Sequence, residues 1–238
     1  MEIDSIDFIL SHFKSPTAKF PRKMMTLSSN GLISINSKEE ILQRCRDADY
    51  KECLINAYPE ILELNGMLIQ SANLILIDLD LSLCTTCVYP IRKLDYLLKQ
   101  TLKQIKKDIN GQPTVLWTGN GYHIYLPVQI PILDNEFEFS KERFQNLFSL
   151  NNRYYEYYVS EVFMQFAGRY LTGGKSEFVH RPRYANCMVR IPDTYNMDSL
   201  SKGLSLEKSQ VKILQEWDGN IIDIKPLIQE FKIWLTQQ

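Results

Sequence analysis

The sequence predicts an α+β, or mixed α/β, domain with its function at the rim of a sheet. Three observations carry this. Segments that alternate apolar and polar residues intermix along the chain with segments of helical spacing. Turns built from Gly, Pro and Asn separate them. The loops richest in Asp, Thr, His and Arg lie at the ends of the strand-like runs.

Taken in order, Phe20-Pro-Arg-Lys-Met-Met-Thr26 reads as extended, and Ser28-Ser-Asn-Gly31 as a turn, because Asn-Gly tolerates positive φ. Leu32-Ile-Ser-Ile-Asn36 alternates like a half-buried strand. Ser37-Lys-Glu-Glu40 is a capping-box pattern that opens a helix through about Arg46. Asn73-Leu-Ile-Leu-Ile-Asp-Leu-Asp80 is a strand, buried on both faces at its start. Ile91 to Ile109 is an amphipathic helix with Leu94, Leu97, Leu98, Leu102, Ile105 and Ile109 at helical spacing. Its Lys99, Lys103, Lys106 and Lys107 lie mostly on another face, which reads as a solvated basic surface.

Gly111-Gln-Pro113 breaks the chain. Thr114-Val-Leu-Trp117 and Tyr122-His-Ile-Tyr-Leu126 are strands on either side of the tight loop Thr118-Gly-Asn-Gly121. Lys141 to about Leu171 reads as helical, with the cluster Tyr154-Tyr-Glu-Tyr-Tyr158 as packing. Met188-Val-Arg-Ile191 is a strand feeding the loop Pro192-Asp-Thr-Tyr-Asn196. Val211-Lys-Ile-Leu214 is a short strand, and Asp223 begins a last helix with Ile224, Leu227, Ile228, Phe231 and Leu235 on its apolar face. The length fits one large domain or one domain with a small appendage.

Composition narrows the function. Among 238 residues, 27 Lys+Arg stand against 28 Asp+Glu, a formal net charge of −1, which argues against a uniformly basic nucleic-acid binder and leaves room for a local basic groove. No apolar run approaches the ~20 residues of a membrane span. The acidic N-terminus lacks the basic and apolar regions of a signal peptide, so a soluble, cytoplasmic protein with no membrane partner is expected. Five cysteines make a poor disulfide framework. Cys84-Thr-Thr-Cys87 is half of a zinc site, and reduced thiols are the simpler expectation.

Three segments carry chemistry. Asp78 and Asp80 lie two residues apart on a strand, so both carboxylates point to the same side. They repel, and a divalent cation is their natural partner; a bare DxD also marks many exposed strand ends. In Thr118-Gly-Asn-Gly-Tyr-His123, two glycines can let backbone amides approach an anion, with a hydroxyl and an imidazole beside them. In Arg190-Ile-Pro-Asp-Thr-Tyr-Asn196, the guanidinium suits bidentate contact with phosphate.

The order and spacing of these segments resemble the archaeo-eukaryotic primase (primase-polymerase) superfamily. The matching stretches are Ile77-Asp-Leu-Asp80, Leu116-Trp-Thr-Gly-Asn-Gly-Tyr-His-Ile-Tyr125, Arg190 to Asn196 and Trp217-Asp-Gly219, and they are similar above all to primase small-subunit-like proteins of ammonia-oxidising archaea. The resemblance covers about Ile61 to Leu235. It implies an RRM-like catalytic core over residues 61–238 with an N-terminal αβ module over residues 1–60, in one integrated domain, and template-directed nucleotidyl transfer with Mg²⁺ or Mn²⁺. It places Asp78, Asp80 and a third acid, Glu177, as catalytic metal ligands, with Asp193 as the rival for the third position. Two cations ~4 Å apart would serve the transfer. Thr118, Gly119, Asn120, Gly121, His123, Arg190 and Asn196 match nucleotide-binding positions. The lysine common after the family's loop Asn is absent here, and Lys202 is the nearest replacement. Implied partners are a single-stranded DNA template or primer-template, nucleoside triphosphates, and a large primase subunit or helicase. Lys19, Arg22 and Lys23 are candidate template contacts. A primase-like binding module with little activity and a DxD glycosyltransferase are the competing readings.

Overall fold

The structure, a computed structural model, describes residues 3–12, 20–58, 60–62, 68–70, 72–80, 88–132, 159–175 and 187–237. Seven helices, ten strands and two four-stranded antiparallel sheets are found among them. The first sheet has the order β2-β1-β3-β9, from β1 (Arg22–Met25), β2 (Ile33–Ile35), β3 (Leu54–Asn56) and β9 (Met188–Arg190). Its last strand thus comes from far along the chain, and Leu54 pairs with Arg190.

The second sheet has the order β10-β7-β8-β6, from β6 (Ala72–Asp80), β7 (Thr114–Trp117), β8 (Gly121–Ile132) and β10 (Lys212–Gln215). β8 lies between β6 and β7 and runs antiparallel to both, a split βαβ arrangement whose crossover is helix α3 (Pro90–Ile109). A small ribbon pairs β4 (Glu60–Leu62) with β5 (Leu68–Gln70).

Local chemistry explains most of these elements. Helix α2 (Lys38–Asp47) starts where Ser37 accepts a hydrogen bond from the Glu40 amide. Glu40 reaches back to the Asn36 amide at 2.9 Å, one residue earlier than the usual capping box. Helix α3 carries Pro in its first turn and ends at Asn110 in the left-handed conformation (φ 48°). Its buried stripe is Leu94, Leu97, Thr101, Ile105 and Ile109. Helices α4 (Val159–Leu171) and α7 (Lys225–Thr236) join α3 on the same face of the second sheet, with Phe163 edge-on to Phe231.

Alternation divides the second sheet. Ile77 and Leu79 are buried on the helix side, where Tyr122 of β8 donates its hydroxyl to Asp95 of α3. Asp78, Asp80, His123 and Tyr125 occupy the opposite face, towards helix α1 (Ile3–Ser11) and β9. Sequence periodicity had not marked α1 as a helix. It is held by a buried knot: the His12 ring bonds Thr114 Oγ1 at 2.7 Å and the Phe8 carbonyl at 2.9 Å, and Thr114 Oγ1 accepts the Trp217 amide at 3.1 Å. Burial lowers the pKa of His12 and keeps it neutral, with Nδ1–H donating to Phe8 and Nε2 accepting from Thr114. Among the described residues no helix is long and apolar enough to cross a membrane. The expected helix from Lys141 is described only over α4; Lys19, Cys84, Cys87, Tyr154 to Tyr158, Glu177 and His180 lie outside the described residues.

Candidate functional site

The site is built from the ladder upward. Asp78 pairs with His123 and Asp80 with Gly121, so the strand end and the hairpin tip share one rim. Asp78 and Asp80 are half-buried, and Leu79 between them is fully buried, as alternation requires. His123 Nε2 stands 3.7 Å from Asp78 Oδ1, and its Nδ1 lies 3.3 Å from the Tyr125 hydroxyl. Tyr125 is fully buried, and desolvation first, then the charges of Cys187 and Asp78, push its pKa well up. The phenol therefore stays protonated and can donate to Nδ1, which turns Nε2–H to the carboxylate. Sequence reasoning missed Tyr125 as a support, although its place two residues after His123 puts it on the same face.

The turn Thr118-Gly-Asn-Gly121 closes through the Thr118 amide and the Gly121 carbonyl at 3.0 Å. Its glycines are required by the protein's own backbone. Gly119 has φ +87°, and a Cβ there would stand 2.9 Å from both Asn196 Cβ and the Ser209 carbonyl. A Cβ on Gly121 would stand 2.1 Å from the Leu79 carbonyl and 2.9 Å from Asp80 Cα. Gly119 thus packs against the 196–209 segment and Gly121 against β6. Asn120 is buried and donates Nδ2–H to Asp80 Oδ2 at 2.8 Å, and so orients the carboxylate. Thr118 is likewise buried.

From the first sheet, Arg190 reaches towards the same face. Its Nη1 donates to Glu52 Oε2 at 2.9 Å, and both side chains are mostly buried. Glu52 Oε1 accepts the Met197 amide at 2.5 Å, at the start of the short helix α5 (Met197–Ser201). Glu52 sits at φ 51° and was not legible as a functional residue, because it lies in a loop with no pattern of its own. Asn196 is the α5 cap: Oδ1 accepts the Asp198 and Ser199 amides, and Nδ2 donates to the Thr118 carbonyl at 2.8 Å. It fastens the hairpin to the 190–196 loop. Lys202 is exposed and pairs with Asp198 at 2.6 Å. Its pKa is raised chiefly by its hydrogen bond to Asp198, with a further contribution from the charge of Asp80.

One expectation needs correction. Arg22 is buried and donates to the Asn56 carbonyl; desolvation lowers its pKa to about 9. It holds β1 to β3 and is no template contact, whereas Lys23 is half-buried beside it. Asp193 has φ 62° and accepts the Ser5 hydroxyl at 2.5 Å, which ties its carboxylate to α1. Glu177 lies outside the described residues, and among the described residues no group of three acidic, His or Cys side chains forms a metal cluster. The donor chemistry nonetheless fits a hard divalent cation: two carboxylates on one face, at a solvent-reachable rim, one of them oriented by an amide.

No family model matches the chain, and no curated protein matches it. Solved structures do. The catalytic domain of primase RepB′, solved in complex with initiator DNA, superposes with a TM-score of 0.52 over 98% of this chain and 96% of that chain, at 12% identity. The fold is primase-like. A longer structure of primase RepB′ gives a TM-score of 0.53 at 12% identity; this chain covers 64% of its length.

Proposed function

We propose that this protein is a DNA-templated nucleotidyltransferase that makes or extends primers. The observation that carries the reading is the shared rim of Asp78, Asp80 and the Thr118–His123 hairpin in a primase-like fold, with the loop that follows Arg190 tied to that hairpin through Asn196. Its narrower form, a likeness to archaeal small-subunit-like primases, rests on the sequence segments.

Asp78 and Asp80, joined by Glu177, would hold Mg²⁺ or Mn²⁺, which would supply charge neutralisation for the transferring phosphoryl group and acidify a 3′-hydroxyl. The chain's own residues do the rest. Asn120 fixes the Asp80 carboxylate. Tyr125 fixes the His123 ring, so that Nε2–H lies beside Asp78 where phosphate oxygens would arrive. Arg190 and Lys202 would bring positive charge to the triphosphate, with Glu52 holding the guanidinium through Nη1. Such positioning is most of what phosphoryl transfer asks of a protein.

One observation favours the second reading, a binding module with little activity: Arg190 is already paired with Glu52. Primer synthesis and primer extension with labelled nucleotides, in Mg²⁺ and in Mn²⁺, separate the two. Incorporation by wild type, abolished in folded Asp78→Ala, is the expected result. Binding of template without incorporation by wild type would establish the second reading.

A further inference from the structure

We propose that the exposed face of α3 is a track for single-stranded nucleic acid, running away from the rim that carries Asp80. The proposal rests on the polymerase reading for its biological sense and on α3 alone for its geometry.

The buried stripe of α3 is fixed by its packing against the second sheet, and what remains outside is unusual in kind. Tyr89, at the helix cap, is 63% exposed and Tyr96 is 55% exposed. They stand seven residues apart, two turns along one face. The Arg92 guanidinium lies 5.0 Å over the Tyr89 ring, a contact in which the ring face already meets a cation. Val88 and Ile91 beside them are 83% and 48% exposed. The same face continues with Lys99, Lys103, Lys106 and Lys107, all exposed. Asp95 and Asp108 keep their charge while bonded to Tyr122 and Gln104, but 6 Lys+Arg against 2 Asp leave α3 at +4, with Asp218 of a neighbouring loop acting on Lys106 alone among the lysines. In a chain of net charge −1, this is a local concentration of positive charge.

Place and order also matter. Asp95 accepts from Tyr122, which adjoins the Gly121 turn, so the tyrosine end of α3 lies at the same end of the second sheet as Asp80, on the sheet's opposite face. The helix is 20 residues long, about 30 Å, and the lysines lead away from that end. Aromatic rings followed by cations are what an unpaired strand needs: faces for bases, then charge for phosphates. A duplex offers no free base faces. A membrane-surface helix would show its apolar side, which here is buried in the core.

The test uses the full chain and fluorescent oligothymidylate, with anisotropy read over a range of salt. Replacing Lys99, Lys103, Lys106 and Lys107 together by Gln should weaken binding at least tenfold and flatten the salt dependence by up to about three, at roughly 0.7 per phosphate contact on a single strand. Tyr96→Ala should weaken it roughly five- to a hundredfold with the salt slope unchanged. Both variants should keep incorporation at saturating primer-template and require more template to reach it. Asp78→Ala separates this proposal from the polymerase reading, since it should bind oligothymidylate like wild type. Wild-type affinity and slope in the four-lysine variant would overturn the track. So would a tyrosine variant that binds the single strand normally while the lysine variant loses single strand and duplex alike, because the face would then be a general phosphate surface. A wild type that binds through α3 but incorporates nothing would leave the track standing and remove the polymerase reading.

Discussion

Substituting Gly121 by Ala asks whether the hairpin glycine serves the fold or a ligand. A Cβ at this position would stand 2.1 Å from the Leu79 carbonyl and 2.9 Å from Asp80 Cα. Real Cβ contacts stay beyond 3.0 Å, so β6 and β8 must part by nearly 1 Å at their last rung. The atoms in the way are backbone and cannot swing aside. Overpacking of this kind costs about 1–3 kcal/mol, which for a chain of this size lowers Tm by about 2–12 °C. The displaced rung carries Asp80, and under the proposed function a shift of about 1 Å in this carboxylate should cost on the order of a hundredfold in rate. Thermal melts and primer extension below the new Tm measure the two effects. Gly168→Ala is the control. It lies within α4 with nothing near its Cβ and should be neutral or stabilising by up to about 1 kcal/mol. If Gly121→Ala melts like wild type while its nucleotide KM rises, the glycine makes room for a ligand and the packing argument is wrong.

Three further outcomes are expected. Glu52→Gln should disturb the Arg190 guanidinium and raise the nucleotide KM several-fold with kcat little changed, read by nucleotide titration; an unchanged KM would separate Arg190 from the nucleotide. His12 has a lowered pKa in the fold, so the unfolded chain binds the extra proton, and stability should fall as pH drops below about 6.5, by up to about 1.4 kcal/mol per pH unit. Melts of wild type and His12→Gln across that range should diverge; parallel curves would mean that His12 is not buried neutral. Asn196→Ala should lose the α5 cap and the tie to Thr118, costing about 1 kcal/mol and lowering Tm by about 2–4 °C.

The parts of this fold that were legible in the sequence are those decided locally. Alternation placed β6, β7 and β8, and with them the shared face of Asp78 and Asp80. Ser37 and Glu40 marked the start of α2. What stayed hidden depends on distant partners. α1 is short and gains its place from Thr114 and Trp217. β3 is only three residues and exists because β1 and β9 flank it. Arg22 looked like a surface cation beside Lys23, yet tertiary packing buries it against Asn56. Glu52 acquires its role only when β9 brings Arg190 beside it, and the glycines of the 118–121 turn carry the same letters whether they admit a phosphate or a neighbouring strand.

The knot at Thr114 has a consequence for how the chain reaches its native state. One hydroxyl joins residue 12 to residue 114 and residue 114 to residue 217, separations of 102 and 103 residues. Ser5 and Asp193 are 188 residues apart. Closing loops of this length must be paid before any contact rewards it, so folding should be slow for a protein of this size. During synthesis β7 waits with one edge unpaired until β10 emerges, and β3 waits for β9. At ~5–20 residues per second those intervals last roughly 5–25 seconds, a window in which the nascent sheets are open to mispairing and to chaperones.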